Sequence, residues 1–320
     1  MINKLFYNQN SLNFWYFLVV GLWGFIITSI INHHPLVINF SFSPVFLKDI
    51  TLNTYASIVL IYLIILASAF IMMSISKEFA DHVGLLLPSI VFVLLINILT
   101  STFLDFTAVL IIPFFLLIIK IIISLYDKQK AFEEIIYIGF LNALISLINI
   151  DFTIILFLSF FSIIVMRPFY IKEYILLLLS YFFPFIFMDA IMFFISNQHV
   201  FSLINRNSEI QHFNYAQFLS SIYPLMILLI LSFFTVSKFI NRKIGLKKIR
   251  TRRFFLWLHI SLVIVWLFLF SLSLPSLYYI IVVFIALSLS IVLVSLEIKR
   301  HAVLLLLALI ILNFLIIVIM

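Results

Sequence analysis

Ten consecutive aliphatic residues run from Val303 to Leu312, and apolar runs of this kind recur along the whole chain. They are continuous. A membrane barrel would alternate apolar and polar residues over short strands. Such runs therefore read as helices that are apolar on every side. A hydrocarbon core about 30 Å thick needs about 20 apolar residues at about 1.5 Å rise each. The composition leaves little alternative: 66% of the 320 residues are hydrophobic and 10% are charged. A soluble domain runs near 45–50% apolar with about 25% charge. So few charges could not cover so much apolar surface in water.

The runs predict spans near 13–31, 55–75, 84–101, 106–125, 135–150, 153–166, 174–196, 220–239, 254–273, 278–296 and 302–319. The pair 135–150 and 153–166 is short for two full crossings, so the count lies between nine and eleven. The expected fold is an all-α, polytopic transmembrane bundle, with residues 1–320 forming a single integral membrane domain. No linker or low-complexity tail divides it. The first run is expected to stay as a helix rather than be cleaved as a signal peptide. It carries Trp15 and Trp23 and ends at Asn32, His33 and His34 with no small-residue cleavage site.

Lys and Arg in short loops set orientation. Seventeen of the nineteen fall on one set of helix ends; Lys48 and Arg206 fall on the other. That split puts the N-terminus and the basic loops of a multi-pass protein in the cytoplasm. The net charge of +7 is thereby a topology signal, and no nucleic-acid partner is expected. Membrane lipids are the expected partners. The segment 238–253 concentrates eight cations, among them Arg242, Lys243, Lys247, Lys248, Arg250, Arg252 and Arg253. It reads as an anchor on anionic lipid, each cation worth about 1 kcal/mol near the surface. Its sharper alternative is a dock for a lipid phosphate or an acidic partner. Gly245 stands alone there, so nothing suggests a nucleotide loop.

With no cysteine in the chain, thiolate chemistry, disulfides and cysteine-based metal sites are excluded. The candidate catalytic residues are Asp49 and Asp189. Asp189 is expected about seven residues inside its span, about 10 Å below the surface. An ionisable group at that depth is expensive and should face the bundle or a wet cavity. Asp105, Asp151, Arg206 and Glu209 form a candidate outer rim. Asp105 and Asp151 each precede Phe-Thr at a helix start, where Asp serves well as an N-cap. The rim reading has them join Asp49 and Asp189 around an outward cavity able to hold a divalent cation or a general base. His33, His34, His199 and His212 lack the i, i+4 spacing of a helical metal pair and read as interfacial polar residues. Lys120 reads as a snorkelling cation. The segment Leu36–Ser43 alternates apolar and polar residues and reads as interfacial or as a short paired strand. No cofactor is implied.

Two stretches carry a resemblance. Met1 to Phe14 is one. Gly139-Phe140-Leu141, leading through Arg167-Pro168-Phe169-Tyr170-Ile171-Lys172-Glu173-Tyr174 to Pro184, is the other. Together they resemble a family of polytopic inner-membrane proteins from Bacteroidota. The resemblance implies an inner-membrane location and carries no activity with it. The loop layout is more distantly similar to that of C-type glycosyltransferases, which use polyprenyl-phosphate sugars at the outer face. That likeness implies envelope biogenesis and a lipid-linked substrate. Those enzymes place an acidic residue early in the first external loop; here His33 and His34 stand there, and Asp49 is the loop's one acid. Two further readings stay open: a non-catalytic scaffold with envelope protein partners, and a transporter or flippase whose route is lined by Asp189, Asn142, Asn97 and Lys120.

Overall fold

A computed structural model describes residues 37–38, 50–51, 54–77, 87–102, 106–128, 130–168, 170–197, 253–265 and 277–295. The described residues are helical apart from one short antiparallel pairing. There β1 (Val37–Ile38) lies against β2 (Ile50–Thr51), with Val37 opposite Thr51 and Ile38 opposite Ile50. Val37 and Ile38 of the alternating segment thus pair as a strand, one of its two expected forms.

The helices are α1 (Thr54–Lys77), α2 (Leu87–Thr102), α3 (Phe106–Ser124), α4 (Phe132–Ile148), α5 (Ile154–Met166), α6 (Ile171–Ser196), α7 (Arg253–Val265) and α8 (Tyr278–Ser295). Each coincides with an apolar run expected to form a span. For the run 254–273, helix is described only as far as Val265. The runs 13–31, 220–239 and 302–319 lie outside the described residues.

Among the described residues, three windows are long and apolar enough to cross a membrane: Val59–Ser76 in α1, Phe106–Ser124 in α3 and Ile171–Phe194 in α6. The tight pair expected in the middle of the chain is present. Its helices have 17 and 13 residues, joined through the 3-10 turn Ile150–Thr153. At about 1.5 Å per residue neither α-helical part reaches the length of a full hydrocarbon crossing.

α3 is the axis of the packing. Most of it is buried, and it lies against α1, α4, α5 and α8. α2 packs on α8, and α4 packs closely along α6. Aromatic side chains join α3, α7 and α8: Phe115 meets Phe284 edge-on at 5.3 Å, and Phe284 meets Trp257 at 5.9 Å. Buried Trp257 also donates its indole N–H to the Leu158 carbonyl of α5, at 3.0 Å.

α6 has two apolar faces, only one of them covered. Leu177, Tyr181, Phe185 and Met192 point into the bundle, whereas Phe183, Ile186 and Phe194 are 65%, 68% and 86% exposed. Pro184 stands inside this helix. Lacking an N–H, it leaves the Ser180 carbonyl without its usual helical donor. The helix ends at Asn197, whose φ of 51° is left-handed and whose N–H closes on Phe193 O at 3.0 Å. Asn is one of the few residues that adopts this conformation at modest cost.

Candidate functional site

Two polar constellations stand out among the described residues. The first gathers five helix ends. α3 finishes in the 3-10 turn Leu125–Asp127, which the Lys128 N–H closes on Leu125 O at a long 3.4 Å. Arg167 caps the C-terminus of α5 in extended geometry, and Pro168 follows it. From there its side chain reaches back across the bundle. Nη1 donates to Leu125 O at 3.1 Å and to Lys128 O at 2.6 Å. Nε and Nη2 grip the Glu173 carboxylate in a fork, at 3.2 and 2.9 Å.

The two side chains are 3% and 4% exposed. Desolvating two charges is costly, and the cost is met only when the geometry is good and the remaining donors are satisfied. Here the guanidinium answers both needs. Glu173 also lies in the first turn of α6, where the positive end of the helix dipole favours an acid.

Around this pair, Lys128 bonds Glu134 in the first turn of α4. Partial burial pushes the Glu134 carboxyl up. The Lys128 hydrogen bond, its own backbone N–H, and the charges of Lys128 and Arg167 outweigh burial and hold it below the ordinary carboxylate value. Arg253, exposed at the start of α7, lies over the Tyr126 ring at 5.6 Å. The ends of α3, α5 and the starts of α4, α6 and α7 therefore meet at one end of the bundle. These are the ends that the cation distribution groups together.

The second constellation runs between α4 and α5. Asn142 Nδ2 donates to Ile138 O at 2.8 Å and to Ser159 Oγ at 2.9 Å. Ser159 passes its proton to Ile155 O, and Ser162 donates to Ser159 O. Two turns away along α5, Thr153 Oγ1 lies 3.4 Å from Ser146 Oγ. Asn142, Ser146, Ser159 and Ser162 are all buried.

Of the residues singled out in the sequence, Lys120, Asn142, Asp151, Asp189 and Arg253 have described side chains. Asp151 is corrected: it is not the cap. Asn149 caps the 3-10 turn, its Oδ1 accepting the Asp151 N–H at 3.0 Å while its own N–H closes α4 on Ile145 O, and the N-cap of α5 is Thr153, with no side-chain bond. Both residue types cap well. α4 stops at Ile148, and that gives the position to Asn149. Asp189 is half-buried on α6, seven residues before Ser196. Lys120 is exposed on α3. Asp49, Asp105, Arg206, Glu209, Arg242, Lys243, Lys247, Lys248, Arg250 and Arg252 lie outside the described residues. Among the described residues no group of three His, Asp or Glu could hold a metal ion.

The Arg167–Glu173 pair was missed in the sequence, where Arg167 counts as one more loop cation. The available signal was an Arg and an acid flanking Pro168, with the acid in a first helical turn. No family model matches the chain, and no curated protein or solved structure is significantly similar to it.

Proposed function

We propose that this chain is a multi-pass protein of the cell inner membrane that serves envelope biogenesis as a non-catalytic scaffold. Its N-terminus and the Arg167 end of the bundle face the cytoplasm. The outward face of α6 supports the membrane reading: Leu179, Phe183, Ile186, Phe187 and Phe194 are exposed with no polar residue among them. Apolar patches of this extent are rare on soluble monomers and suit lipid.

One observation carries the scaffold reading. The deeply buried charges described, Arg167 and Glu173, are spent on fastening helices to one another, with no open group left for a substrate. Purification of the full chain in mild detergent should bring down stoichiometric envelope partners. A lone monomer would overturn the scaffold reading.

A second reading, a lipid-carrier glycosyltransferase-like bundle, is favoured by Asp189, a half-buried acid seven residues from the end of α6. The Asp49→Asn and Asp189→Asn variants should then lose transfer of a lipid-linked sugar. Unchanged envelope glycans in both would count against it.

A further inference from the structure

The Asn142 amide is fixed in orientation by what it touches. Its Nδ2 faces the Ile138 carbonyl at 2.8 Å, an acceptor only, so turning the amide over would set oxygen against oxygen. Oδ1 is therefore the atom facing the other way. It is buried, the residue is 1% exposed, and no donor among the described residues reaches it. Three hydroxyl protons nearby are already given away. Ser159 donates to Ile155 O at 2.9 Å, Ser162 to Ser159 O at 2.6 Å and Thr153 to Ile150 O at 2.7 Å. A buried acceptor left bare is costly, and buried polar groups as a rule find a partner in protein or ordered water.

The surroundings suit a water. The residues flanking Asn142 along this contact are small and mostly hydroxylated: Ala143, Ser146, Ser159 and Ser162. The hydroxyl line leads from Asn142 through Ser146 to Thr153, in the turn Asn149 to Thr153, where Asn149, Asp151 and Thr153 are polar and half-buried. A water accepting and donating among two to four polar atoms is the usual occupant of such a place.

We infer that the α4–α5 seam is hydrated, with an ordered water donating to Asn142 Oδ1 and reached from the Asn149–Thr153 turn. The inference goes beyond the scaffold reading and does not depend on it.

Radiolytic hydroxyl labelling of the full chain in lipid nanodiscs tests it, because ordered water brings the radical to buried side chains. The buried Ile138, Ile145, Ile155 and Leu158 should be labelled several-fold above the equally buried Ile111, Leu116 and Ile119 of α3. Asn142→Leu, which has no acceptor to hold the water, should bring them down to the α3 level. Labelling equal to α3 in the unaltered chain, or unchanged by Asn142→Leu, would overturn the inference. Should Asn142→Leu fail to fold, a high-resolution map of the unaltered chain decides. Density is expected about 2.5–3.0 Å from Oδ1, and an empty position there rejects the inference.

Discussion

Arg167 and Glu173 each lose more by being left alone than they gain by being together. Removing one partner strands a buried charge, at a cost of about 3–5 kcal/mol; replacing both with apolar residues is often neutral or better. Arg167→Met and Glu173→Gln should therefore each lower the unfolding midpoint in detergent strongly. The double variant Arg167→Met, Glu173→Leu should recover most of the loss, short of the bonds to Leu125 and Lys128. Equal losses in single and double variants would show that the backbone contacts, not the charge pair, matter. Glu134 carries a pH signature. Its folded carboxyl titrates below its ordinary value, so the folded state binds its proton less readily than the unfolded chain. The contribution is complete above the unfolded value of about 4.3 and is lost as pH falls through the lower, folded one. Acid titration of the unaltered chain should show this loss, and Glu134→Gln should flatten it. Little at this scale was legible beforehand. Arg167 and Glu173 are six residues apart across a proline break, a spacing with no helical period. Asn142 and Ser159 are seventeen apart, on two helices whose apolar neighbours look alike.

Gly139 sets how closely α4 and α6 approach. A Cβ placed there would come 1.9 Å from Ser180 Oγ, 2.7 Å from Leu177 O and 2.9 Å from Ser180 Cβ. The hydroxyl can rotate away; the backbone carbonyl cannot. Gly139→Ala should therefore push the two helices apart, at about 1–3 kcal/mol, as overpacked cores do. Gly139→Leu should do worse. Ser180→Gly should partly rescue Gly139→Ala, since it removes two of the three clashes, and no rescue in a denaturation series would place the strain elsewhere. Helices themselves were plainly readable, because continuous apolar runs leave few alternatives in length or type. Their ends were less so. The α4–α5 junction turned on which of two good capping residues, Asn149 or Asp151, stood where the helix stopped. The glycine's partner on α6 lies far along the chain and leaves no trace near residue 139.

Among the described residues the bundle is apolar outside as well as inside, and that outside is what a membrane would have to accept. A cation on the bare face of α6 should be resisted on insertion by about 2.5–3.5 kcal/mol. Phe183→Lys should then sharply reduce the amount recovered in membranes, with Phe183→Leu near normal. Reporter fusions at Lys130 should read as cytoplasmic and those at Asn149 as external; the reverse pattern would invert the proposed orientation. At this scale the sequence was most informative about solvent and least about site. Composition points to lipid as the solvent, whereas any grouping of Asp49, Asp189 and Glu209 would depend on distances that no local pattern encodes.

The bonds from Arg167 to Leu125 and Lys128 also impose an order on biogenesis. Some forty residues must leave the ribosome between the carbonyls and the guanidinium that closes them, and six more before the carboxylate arrives. At about 5–20 residues per second, the exposed end of α3 waits for seconds. A nascent chain that stops at Tyr170 is left with a naked cation at the close of a thirteen-residue helix. Such a fragment is a natural target for membrane quality control.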